Sequence, residues 1–228
     1  PAAAIPELLM PIFWLVVVLL ALTALGFWLG RRRALTSAQG NARNLHSLPV
    51  YYGANVAMSV AIPALLTLVI WLLAQPMVIE NRVSATLPQD LIPENTSIGL
   101  VMSDVRRLAE GLDELVSQKV MTKEQSVSLD SATSDIRATL GSVGVALGSE
   151  VRPEVLQAAQ SYRMLSSTGS LAMTIVTLLL ALVGFALAYR NSHLEFRARN
   201  VVERGVLALL VLAASLAILT TLGIVLSM

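Results

Sequence analysis

The 228-residue chain has no cysteine, which excludes disulfides and thiolate metal centres and leaves redox chemistry silent about compartment. Histidine is almost as scarce. His46 and His193 fall in short connecting stretches without a carboxylate partner at ligand spacing, so each is expected to be a surface imidazole and not a metal ligand. The only lysines, Lys119 and Lys123, close no Gly-x-x-x-x-Gly-Lys motif, and a phosphate-cradling loop is excluded. Charged residues make up 14% of the chain. Between Ala34 and Glu80 the sole one is Arg43. No catalytic constellation can be assembled from this inventory. The chain is not expected to be an enzyme, to hold a cofactor, or to bind nucleic acid.

What remains is overwhelmingly apolar: 55% hydrophobic residues and a mean hydropathy of +0.71. These residues are gathered into four long runs, the pattern of membrane-spanning helices. In Ile12–Leu29 the twelve Leu, Ile, Phe and Val residues, at roughly −0.3 to −0.6 kcal/mol each, favour insertion by about −4 to −7 kcal/mol. Basic residues follow this run and do not precede it, so it reads as a retained span and not a signal peptide. The second span, Tyr51–Ala74, is uncharged, with Tyr51, Tyr52 and Trp71 placed for the two interfacial belts. Pro63 is expected to kink it. Asn55, Ser59 and Thr67 share the face of Pro63, which reads either as the lining of a path or, the favoured expectation, as the side packed against neighbouring helices. The third span is Leu171–Tyr189 and the fourth Gly205–Met228.

Orientation follows from arginine. Arg31, Arg32, Arg33 and Arg43 lie in the first loop with no acid, and Arg190, Arg197, Arg199 and Arg204 flank the last loop against only Glu195 and Glu203. Short cytoplasmic loops carry such an excess, so both loops are expected inside, anchored on anionic membrane lipid, and Pro1 outside. Between Gln75 and Gly169 stand eight basic and twelve acidic residues. Pro76, Pro88 and Pro93 predict an extended start to this segment.

Val101, Val105, Leu108, Leu112 and Leu115 then form one helical stripe. Thr122 and Gln125 read as a capping box opening a second helix, with Leu129, Ala132, Ile136, Leu140, Val143 and Leu147 as its stripe. Arg152-Pro153-Glu154 opens a third. Asn95-Thr96-Ser97 matches a glycosylation acceptor, a weak pattern. The expected fold is all-α and integral to the membrane: four transmembrane helices, with an extracytoplasmic helical bundle between the second and third. Residues 1–74 form a hairpin with spans at about 12–29 and 51–74 and a cytoplasmic loop at 30–50. Residues 75–169 form a periplasmic helical domain, 170–204 the third span and cytoplasmic loop, and 205–228 the fourth span.

Two stretches carry a resemblance. Arg33-Ala34 followed by Leu45-His46-Ser47-Leu48-Pro49-Val50-Tyr51-Tyr52-Gly53 resembles the N-terminal extension of phosphate ABC transporter permeases of the PstC type, in the long proteobacterial form. Val50 stands where that family more often has Gly. Arg199-Asn200-Val201-Val202-Glu203-Arg204, leading into Leu216–Ser227, is similar to the entry into the permease core. The resemblance implies an N-terminal accessory region of a permease subunit in an ATP-driven inorganic phosphate importer of the bacterial inner membrane. It implies as partners a sister permease subunit, separate ATPase subunits and a periplasmic phosphate-binding protein. A chain that begins at Pro1 without Met and ends in an apolar run reads as part of a longer protein, with the core not present, so no phosphate-path or coupling residue is assigned. The competing reading is a transmembrane receptor with a helical periplasmic sensor domain.

Overall fold

The computed structural model describes residues 12–88, 98–127, 129, 139–141 and 152–227. Among these every regular element is helical: α1 (Ile12–Ser37), a single 3-10 turn (Ala42–Asn44), α2 (Pro49–Ser84), α3 (Ile98–Ser117), α4 (Lys123–Val127), α5 (Pro153–Arg190) and α6 (Ala198–Ser227). Four of them, α1, α2, α5 and α6, are long and apolar enough to cross a membrane. The chain divides into two compact units, Pro1–Val69 with Met173–Met228, and Ile70–Ala172. Helices α2 and α5 contribute to both.

In the first unit, close helix contacts are made at glycine. A Cβ on Gly30 would lie 2.6 Å from Val56 Cγ2 and 2.9 Å from the Tyr52 carbonyl oxygen, and one on Gly53 would lie 2.6 Å from the Phe27 carbonyl oxygen. The α1 and α2 backbones therefore approach closely, as small residues permit in lipid. Gly26 and Gly30 form a Gly-x-x-x-Gly pair one turn apart, and Gly26 also faces Val56, Val60 and Phe185.

The second unit is packed on a core of large apolar side chains. Met102, Val105, Leu108, Leu112 and Leu115 of α3 are buried against Ile79 and Val83 of α2 and Leu156, Ala158 and Ala159 of α5, with Leu140 in the same core. The capping box is formed as its spacing predicts: the Gln125 N–H donates to Thr122 Oγ1 at 3.2 Å and the Thr122 N–H to Gln125 Oε1 at 2.9 Å. Arg163 donates to Asp113 at 2.7 Å and to Ser126 Oγ at 2.9 Å, and Arg106 pairs with Glu80. Ala132, Ile136, Val143 and Leu147 of the predicted second stripe, the Asn95-Thr96-Ser97 sequence and Pro93 lie outside the described residues.

Two expectations are corrected. The stretch after the second span is not extended: α2 continues through Pro76 to Ser84. A proline inside a helix costs ~3 kcal/mol or more. Burying Ile79 and Val83, which this continuation achieves, returns roughly 1.5–3 kcal/mol each, enough to keep the helix. Tyr52 is also no interfacial anchor, being fully buried. The third bundle helix and the third span are one helix, α5, which starts at Pro153 as expected. Trp71 keeps its indole N–H satisfied internally, donating to Gln75 Oε1 at 3.0 Å, while Gln75 donates to the Ser166 carbonyl at 3.2 Å.

Candidate functional site

All eight loop arginines and the Pro63 face belong to the first unit. Helix α1 ends in a reverse turn in which Gln39 takes φ 53° and Gly40 φ 82°. The Gly40 N–H donates to the Leu35 carbonyl at 2.9 Å and the Gln39 N–H to Thr36 at 3.1 Å, a Schellman closure that satisfies the last carbonyls. Arg31, Arg32 and Arg33 stand on α1 before its last turn. Arg190 is the last residue of α5, where the helix dipole favours a cation. Arg43 sits in the 3-10 turn, Arg197 just before α6, and Arg199 and Arg204 in its first turns.

The two loops meet. The Tyr52 hydroxyl donates to the Phe196 carbonyl at 2.8 Å, and the Arg199 N–H donates to Ser47 Oγ at 3.2 Å. Ala34, Tyr52 and Ala198 are buried together beneath Leu45, Tyr51 and Phe196. The polar roof of one loop is thereby fastened to the other, and the eight arginines share one end of the unit. Arg33 lies 4.4 Å over the Tyr189 ring and Arg32 4.9 Å over that of Trp28, contacts that hold a cation without neutralising it. Among the described residues Arg199 alone of the eight has a carboxylate partner, Glu203 at 2.6 Å. His46 and His193 are exposed, and His193 Nδ1 lies 2.7 Å from the Asn191 carbonyl oxygen.

Beside this end, α2 and α6 bound a cleft of about 360 Å³ lined by Asn55, Met58, Ser59, Pro63, Val201 and Gly205, among others. Three of the four polar-face residues read from the sequence thus line one cleft, and Thr67 does not. Asn55 is only 5% exposed. Pro63 has no N–H to offer the Ser59 carbonyl four residues back. The α5 backbone closes on that carbonyl: a Cβ on Gly184 would overlap the Ser59 oxygen, so the glycine Cα–H is the group brought to it. A Cβ on Gly205 would in turn lie 2.6 Å from Met58 Cε.

Reading spans as runs passed over these glycines. The Gly26-x-x-x-Gly30 spacing was the signal available for the first pair; Gly184 and Gly205 have no local signature. Buried Thr174 and Thr177 of α5 were likewise invisible within an apolar run. A family model described as phosphate ATP-binding cassette transporter matches residues 3–186. No curated protein and no solved structure matches the chain.

Proposed function

Since the chain belongs to the phosphate ATP-binding cassette transporter family, we propose that it is the N-terminal accessory region of a permease subunit in an ATP-driven inorganic phosphate importer. The chain is a multi-pass membrane protein of a transport system, all-helical with four candidate spans. The observation that carries the accessory reading is the absence of Asp, Glu, Lys or Arg from the apolar stretches of all four. Phosphate is charged at neutral pH, and its passage through lipid needs polar or cationic groups at membrane depth. The described interior of the first unit offers only amide and hydroxyl groups, chiefly Asn55, Thr174 and Thr177. Cations are confined to the helix ends, where they orient and anchor the spans.

In this reading the arginine-rich loops face the cytoplasm of a bacterial inner membrane and contact its anionic lipid. Pro1 and the bundle of residues 75–169 then face the periplasm. A sister permease subunit, separate ATPase subunits and a periplasmic phosphate-binding protein complete the importer. Deleting Pro1–Phe196 from the full-length subunit, while keeping the last arginines and α6, should leave measurable ATP-dependent phosphate uptake per assembled complex. Complete loss of uptake with normal assembly would overturn the accessory reading and direct attention to Asn55, Ser59 and Thr67.

A further inference from the structure

The α2/α6 cleft has a chemistry ordered by depth. At the end where the two loops join stand seven arginines without a carboxylate partner among the described residues. Asn55 follows six residues after Pro49, which is about 9 Å along α2 at 1.5 Å per residue. Its carboxamide lines the cleft and makes no hydrogen bond among the described residues. Beyond it along α2 the wall is Met58, Ser59 and Ile62 as far as Pro63, a further 12 Å or so at the same rise and apolar but for the Ser59 hydroxyl, and Val201, Val202 and Gly205 of α6 form the facing wall.

Cation, then amide donor, then apolar channel is the order in which a membrane leaflet presents phosphate, ester carbonyl and acyl chain. The Asn55 amide opens on the cleft with its donors free of partners among the described residues, so the cleft suits an occupant that brings an acceptor to that depth. At about 360 Å³ the cleft accommodates a single hydrocarbon chain.

We propose that this cleft seats an acyl chain of an anionic phospholipid, with its ester carbonyl accepting from Asn55 and its phosphate held by the unpaired loop arginines, Arg197 and Arg204 foremost because they flank the α6 wall. The site is independent of the transport reading and is one bound lipid, as distinct from the diffuse attraction of basic loops to a charged surface.

The test uses the full chain in nanodiscs containing phosphatidylglycerol or phosphatidylcholine with a photoactivatable acyl chain, cross-links being mapped by peptide mass spectrometry. Phosphatidylglycerol should label the peptides containing Met58–Ile62 and Val201–Gly205 at least fivefold more than phosphatidylcholine does. Gly205→Leu should reduce that labelling fivefold or more. Val201→Trp should do the same at a position 45% exposed, where folding tolerates the added bulk. Arg197→Gln with Arg204→Gln should abolish the preference for phosphatidylglycerol and keep acyl labelling. Equal labelling by the two lipids overturns the proposal, as does labelling unaffected by both cleft-filling variants. Displacement of the bound lipid by millimolar inorganic phosphate, or a cross-link from residue 58 to another protein's helix in native membranes, also overturns it.

Discussion

The two units of this chain differ in what stands at their closest contacts. In the unit of Ile70–Ala172 the large side chains are inside: Leu108, Leu112 and Leu115 are buried, and Arg106, Glu80 and Asp113 lie on the surface. In the unit of Pro1–Val69 and Met173–Met228 large side chains such as Leu15, Leu19 and Tyr52 are also buried, but the closest helix contacts are made at small residues. Gly26, Gly30, Ala34 and Gly184 sit at the contacts, whereas Phe13 is 70% exposed and Leu226 83%. The difference is of the kind expected between packing in water and packing in lipid. Water drives large apolar groups together, while lipid is as apolar as leucine and leaves close packing and hydrogen bonds to hold helices in contact.

The sharpest way to break the comparison is to charge the water-type core. Leu108→Asp places an unpaired carboxylate where a leucine is 1% exposed and should cost at least about 4 kcal/mol, read as lost helical signal and protease resistance. A variant as stable as the parent would show that the α3 stripe is not a core.

For the lipid-type unit, enlarging a contact glycine is the equivalent injury. Gly184→Leu must push α5 off the Ser59 carbonyl and should cost about 2–3 kcal/mol in detergent unfolding. Gly223→Ala, with nothing within 4 Å, should change stability by less than about 0.5 kcal/mol. Equal effects of the two would mean that the glycines do not set the packing. A smaller effect belongs to the bundle alone: Thr122→Ala removes one half of the capping box and should cost about 1 kcal/mol, most of it recovered by Thr122→Ser. Smallest of all is the Glu80–Arg106 pair, roughly half exposed on each side. Its coupling in a double-mutant cycle should be below about 1 kcal/mol and fade in high salt.

Much of the candidate site was legible. The arginines are visible as charge against an apolar background, and Asn55, Ser59 and Pro63 stand four apart, so a helix must put them on one face. The facing wall was not. Val201 and Gly205 are some 140 residues away, and nothing in their neighbours says which turn of α2 they meet. Tyr52 reads as an interfacial aromatic by position, yet burial beside Ala34 and Ala198 gives it the task of tying the loops.

The residue order alone determined the number and approximate places of the spans, because insertion depends on summed transfer free energy along a run. It also determined the α3 stripe and the capping box, which depend on spacings of three and four. Only tertiary structure decided that α2 carries its helix past Pro76, since the energy that offsets the proline comes from α3 and α5. Only it decided that the first loop is fastened to the last, and that a cleft with one unpartnered amide lies beside them. Those features depend on contacts between distant segments, and such contacts are settled by shape and close approach, which no local pattern of residues encodes.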